Sequence, residues 1–137
     1  PEEMFEVFGE SDPTEHAEEA ESRWGNTDAY KESQRRTSSY SKSDWLEVQQ
    51  EQQAVIDAFV NAMNAGHTAS SEPAMDAAEM HRLSIDKRFY PCSHEMQVNL
   101  AEMYLADERF TEYYEKHAAG LAKYVADAIF ANALRHS

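Results

Sequence analysis

An all-α helical domain is the fold class expected here, and it rests on three observations. Apolar residues recur at three- and four-residue spacing through most of the chain, strand-type alternation is nearly absent, and Ser, Pro and Gly fall where helices start and stop. A chain of 137 residues suffices for one domain with its own core and is too short for two comfortable ones. Its 42% hydrophobic content leaves room for one compact core and one poorly buried segment.

That segment is residues 1–42, which hold 11 acids and 5 bases. Their apolar content is concentrated in Met4-Phe5-Glu6-Val7-Phe8, Trp24, Tyr30 and Tyr40. Short helices are expected over 15–23 and 27–37, the second capped by Asn26 or Thr27. Helices of that length are marginal without a surface to pack on. Residues 1–42 are therefore expected to form a loosely packed lid that a ligand orders, and 43–137 the helical core.

The core elements follow in order. Ser41 caps a first long helix, supported by Asp44 in its first turn. Trp45, Val48, Val55, Ile56, Phe59 and Met63 form its apolar stripe, and Asn64-Ala65-Gly66 ends it. A second helix starts after Ser71 with Pro73 in its first turn, buries Met75, Ala78, Ile85 and Phe89, and stops at Pro91. Ser93 caps a third, with Met96, Leu100, Met103 and Tyr104 on one stripe. Residues 107–116 read as a short fourth helix carrying Phe110, Tyr113 and Tyr114. The last is expected over 117–134, with Leu121, Tyr124, Val125, Ala128 and Ile129 inward and Gly120 weakening its first turn by roughly 1 kcal/mol.

Charge narrows the function. Twelve bases against 26 acids give −14, a field that repels phosphate backbones, so this chain alone is not expected to bind nucleic acid. No apolar run approaches the ~18 residues of a membrane span, and no export signal opens the chain. A single cysteine excludes an internal disulfide and fits the cytoplasm. The first residue is Pro1, so a longer parent chain is expected. No cofactor-binding motif is present.

Cys92 is the most informative residue for chemistry. It stands in Phe89-Tyr90-Pro91-Cys92-Ser93-His94, just ahead of a helix N-cap, with Lys87, Arg88 and His94 close in sequence. That setting favours thiolate and attack on an electrophile such as an activated alkene; the alternative is a packed, inert cysteine. Two residues between helices leave little room for a nucleophile, a base and an oxyanion hole, which argues against a Cys/His enzyme. Glu79-Met80-His81, His94-Glu95 and the set around His16 lack zinc-site spacing and read as exposed charges. His81 alone is a weak basis for a haem ligand. The tyrosines, tryptophans and methionines together suit an adaptable apolar cleft.

Several stretches resemble the TipAS antibiotic-recognition domain, the C-terminal half of thiostrepton-responsive activators of the MerR family. They include Arg23-Trp24-Gly25-Asn26-Thr27-Asp28-Ala29-Tyr30, Tyr40-Ser41-Lys42-Ser43-Asp44-Trp45 and Phe89-Tyr90-Pro91-Cys92-Ser93-His94-Glu95-Met96. Ala101-Glu102-Met103-Tyr104-Leu105-Ala106-Asp107-Glu108-Arg109-Phe110-Thr111, Gly120-Leu121-Ala122-Lys123-Tyr124 and Asp127-Ala128-Ile129-Phe130-Ala131-Asn132-Ala133 continue the match. The resemblance implies a globin-like fold without haem that binds thiopeptide macrocycles and is ordered by them at its N-terminal helices. It further implies that Cys92 adds covalently to a dehydroalanine of the antibiotic, so that the domain senses or sequesters its ligand and is not an enzyme. Trp24, Tyr30, Tyr40, Phe89, Tyr90, His94 and Met96 are the expected ligand contacts. An upstream helix-turn-helix domain and a dimerising coiled coil are implied for the full-length protein, with the isolated domain a monomer. Pro91 departs from the family pattern, which has Asp before the reactive cysteine; the change removes a carboxylate that would raise the thiol pKa.

Overall fold

The computed structural model describes residues 28–137, in which six α-helices and no strand are found. Trp24 and the helix expected over 15–23 lie outside the described residues. The helices are α1 (Asp28–Thr37), α2 (Lys42–Asn64), α3 (Glu72–Arg88), α4 (His94–Ala106), α5 (Glu108–Glu115) and α6 (Leu121–Arg135).

The caps set these boundaries. Ser41 and Asp44 form a reciprocal capping box, with Ser41 Oγ accepting from Asp44 N and the Asp44 carboxylate accepting from Ser41 N. Ser71, Ser93 and Asp107 cap α3, α4 and α5 in the same one-way manner. At the start of α6 the expectation of a helix from 117 fails. Gly120 has φ +83°, a left-handed conformation that a helix interior cannot hold, so it is the N-cap and α6 begins at Leu121. The chain reaches it through a tight turn whose geometry needs glycine, and Glu115 accepts the Leu121 N–H at 2.9 Å.

α6 runs through the centre, packed against α4, α3, α5 and α2. Leu121, Ala122, Val125, Ala126, Ala128, Ile129 and Asn132 are all buried on it. On α2 the expected stripe of Trp45, Val48, Val55, Ile56 and Phe59 is buried, with Met63 half-buried against the core. α3 differs in part from expectation: Ala78 is buried as expected, but its companions are Ala74 and Ala77, while Met75, Ile85 and Phe89 are half-buried. Likewise α4 buries Gln97 and Ala101 in place of Met96, Leu100, Met103 and Tyr104, which are half-buried. The reason is proximity. Helices α3 and α4 both lie close against α6, and small side chains at the closest approach leave the larger ones to fill the flanks.

α1 lies across the C-terminal end of α3. Arg36 Nη1 donates to the Asp86 carbonyl at 2.7 Å, and the Tyr40 hydroxyl donates to the Arg88 carbonyl. The Tyr40 ring then meets Trp45 edge-on, with centroids 5.3 Å apart, joining the α1–α2 connection to the core.

Candidate functional site

The turn between α3 and α4 is pinned at both ends. Phe89 N and Tyr90 N both return to the Ile85 carbonyl, at 2.9 and 3.3 Å, and close α3. Pro91 has no N–H to continue the helix. Ser93 Oγ accepts from Met96 N at 3.0 Å and opens α4. Between these caps Cys92 is held by its own backbone: its N–H donates to Asp86 Oδ1 at 2.8 Å, and its carbonyl accepts from Arg82 Nη1 at 2.7 Å.

The Cys92 side chain faces inward, 1% exposed, with Sγ 3.7 Å from the Ser93 carbonyl. Burial is the chief cause that pushes the thiol up to about 11; Arg82 opposes this, and the Asp86 and Glu79 carboxylates add to it. This corrects the expectation of a partly ionised thiol. The bases that neighbour Cys92 in sequence are committed elsewhere. Arg88 pairs with Glu51 at 2.6 Å and Glu47 at 3.1 Å, Lys87 with Glu51 at 3.2 Å, and His94 with Glu79 at 2.9 Å. Replacing Asp by Pro at position 91 therefore does not free the thiol of carboxylates, because Asp86 reaches it from α3.

Outside the turn an open cleft of about 480 Å³ separates α1 from the start of α4. Tyr90, Pro91 and Met96 form one wall; Asp28, Ala29, Lys31, Glu32 and Arg35 form the other. Its volume falls within the roughly 300–1,000 Å³ of small-molecule sites. The α1 wall is electrostatically closed on itself: Arg35 grips Glu32 through Nε and Nη2 at 2.7 and 2.6 Å, and Arg36 reaches the same carboxylate at 2.6 Å. Those bonds, Arg35 first, hold Glu32 down at about 2.

Of the expected contacts, Tyr90 and Met96 thus line the cleft and Cys92 lies behind Pro91. Tyr30 is half-buried on α1 beside Ala29. Tyr40 and Phe89 are used in the framework, as the α1–α3 joint and the α3 cap. His94 turns away, onto Glu79 and into a stack with His136. Sequence reasoning missed Lys31, Glu32 and Arg35, which two turns of α1 bring together with Asp28, and missed Arg82 and Asp86 as the anchors of Cys92. Glu79 and His94, read as exposed charges, are half-buried and bonded. The His81 ring is held by the protein, Nδ1 accepting from Gln97 at 2.9 Å and Nε2 lying 3.4 Å from the Tyr104 hydroxyl. Neither nitrogen is presented to a haem.

The family model described as the TipAS antibiotic-recognition domain matches residues 16–132. The chain belongs to this family. A solved structure of TipAS from Streptomyces lividans in complex with nosiheptide, from a thiopeptide antibiotic multidrug resistance system, is similar over the whole chain. Its TM-score is 0.90 at 52% identity, with 96% of that chain covered. The solved antibiotic-binding domain of a TipA-class multidrug resistance transcriptional regulator is similar over 68% of this chain and 99% of its own, with TM-score 0.62 and 48% identity. The all-helical fold of this TipAS domain is thus the globin-like one. Among curated relatives, the HTH-type transcriptional activator TipA of Streptomyces coelicolor is 52% identical over all 137 residues. The activator mta of Bacillus subtilis is 30% identical over 92% of the chain. The chain spans about half the length of these relatives, 54% and 49% respectively.

Proposed function

We propose that this TipAS domain binds thiopeptide macrocycles in the cleft between α1 and the Tyr90–Pro91–Met96 wall, and captures them through Cys92. The observation that carries the reading is the cleft itself: its apolar wall is the turn bearing the cysteine, and its other wall is the least buried helix described. A macrocycle seated there displaces α1, and residues 1–42 close over it as a lid. Ordering that lid costs roughly 1–2 kcal/mol per backbone residue, which buried apolar area must offset. The full-length protein would pass the closed state to an upstream DNA-binding dimer; the domain alone would be monomeric and sequester the drug in the cytoplasm. The reaction is stoichiometric. Cys92 Sγ bonds to the dehydroalanine β-carbon, the α-carbon takes a proton, and nothing leaves, so there is no turnover and no enzyme.

Burial of the thiol favours a second reading, in which the macrocycle binds without a covalent bond and Cys92 is structural. Intact-protein mass spectrometry with a dehydroalanine-containing thiopeptide separates the two. One added antibiotic mass, absent in Cys92→Ala, is the expected result. Tight binding with no mass shift and equal affinity in Cys92→Ala supports the non-covalent reading. No binding by either protein overturns both. The thiol also has a pH signature: alkylation of the free protein by iodoacetamide is expected to rise about tenfold per pH unit toward pH 11. A plateau already by about pH 9.5 would show an unperturbed thiol.

A further inference from the structure

On the opposite side of the Cys92 turn, three potential metal ligands from different elements converge. The ligating atoms of Glu79 on α3, His94 at the first position of α4 and His136 just past α6 all lie within 4.8 Å of one another. We propose that Glu79, His94 and His136 form a binding site for a transition-metal dication of the zinc class. The proposal is independent of the antibiotic reading.

The chemistry of the donors fits that class. Two imidazoles and one carboxylate make a borderline donor set that suits zinc, with a fourth position left to water. Glu79 is fixed from two sides: Arg82 holds it at 2.6 Å, and Asn132 Nδ2, on a fully buried side chain, donates to its Oε1 at 3.0 Å. Those bonds, Arg82 first, keep it ionised down to about 2. His136 Nδ1 lies 2.9 Å from the Asn132 carbonyl, so Nδ1–H donates there and Nε2 keeps its lone pair. Asn132 therefore orients two of the three ligands, the carboxylate by its side chain and the imidazole by its backbone.

Two adjustments convert the present arrangement into a coordination sphere. His94 Nε2 now bonds to Glu79 Oε1 at 2.9 Å, and binding puts the metal on the Nε2 lone pair, with the neutral ring carrying its proton on Nδ1 and any second proton released to water. With metal–ligand distances of about 2.0–2.2 Å, ligand atoms on one tetrahedral ion stand about 3.4 Å apart, so pairs within 4.8 Å must close by up to about 1.4 Å. The two rings are stacked, 4.3 Å between centroids and 16° between planes, and must turn so that both lone pairs point at one ion. Rotation about the second side-chain torsion of histidine is soft, and both rings are at least partly exposed. The bound ion would tie the end of α6 to the start of α4, and through Glu79 and Arg82 to the Cys92 carbonyl.

The test is Co(II) titration of the metal-free protein, followed by visible absorption. The expected result is one equivalent bound, with d–d bands of a four- or five-coordinate nitrogen–oxygen site and displacement by Zn(II). His136→Ala, at an exposed position past the last helix, is expected to weaken binding by more than the about 10–100-fold that outer-shell changes cost. His117→Ala, on the α5–α6 connection, is expected to leave binding unchanged. Absence of binding to the wild-type protein overturns the proposal. So does a thiolate charge-transfer band, which would place the ion on Cys92, or equal affinity in wild-type and His136→Ala proteins. Circular dichroism of both variants checks that each is folded.

Discussion

α1 and α6 are both helices that pack on α3, and the structure holds them in opposite ways. α6 buries seven residues and packs on four other helices. α1 buries none completely and is held to α3 by the Arg36–Asp86 carbonyl bond, with the adjoining Tyr40–Arg88 carbonyl bond behind it. The first is stabilised by area removed from water, which is large and non-directional. The second depends on a few directional bonds, each worth about 0.5–1.5 kcal/mol net. A cleft lies beside the second, where one wall can move at small cost.

The largest expected effect breaks the strong side of the contrast. Ile129→Ala on α6, at a fully buried site, should lose about 2–5 kcal/mol of stability in urea denaturation. Arg36→Ala on α1 should lose about 1 kcal/mol or less in the same assay. Equal losses would mean that α1 is part of the core.

The next concerns pH. Desolvation lowers His81 from 6.5 to about 4, so the fold favours its neutral form. The unfolded chain then takes up this proton first as pH falls, and stability present above pH 6.5 is lost between 6.5 and 4. The loss is up to about 3 kcal/mol. Glu79, lowered from 4.5 to about 2, adds a second loss below pH 4.5. A flat stability between pH 7 and 4.5 would show that His81 is open to water, whereas His81→Gln should flatten it by design.

Gly120→Ala tests the entrance to α6. The left-handed φ of +83° strains any residue with a Cβ, although Met63 Cε at 3.6 Å leaves room for one. A cost of about 1–2 kcal/mol is expected, in contrast to the gain that a glycine inside a helix would give. The smallest effect sharpens the weak side. Tyr40→Phe removes only the hydroxyl bond to Arg88 and should cost about 0.5 kcal/mol, lost locally, so that hydrogen exchange on α1 speeds up with that on α6 unchanged.

Helix existence was legible because it is local. Ser41, Ser71, Ser93 and Asp107 each cap the helix that follows them, and a cap needs only its own next three residues. The faces were legible where the stripe is large and apolar, as on α2. They were misread in part on α3 and on α4, because Ala74, Ala77 and Ala101 are buried by what they meet and not by their own hydrophobicity. Gly120 was misplaced for a related reason: one glycine serves a helix interior poorly and a left-handed cap well, and the turn before it decides which.

The sequence by itself therefore determined the helix count in the described residues, most helix ends, the family and the position of the one cysteine. Each follows from short-range spacing or from residue identity. Only the tertiary structure decided the state of that cysteine and its surroundings. Arg82 and Asp86 reach Cys92 from ten and six residues away, one turn apart on α3. His94 leaves it for Glu79, fifteen residues back. Thiol ionisation depends on desolvation and on charges a few ångströms away, and those are set by packing between helices, which sequence adjacency does not record.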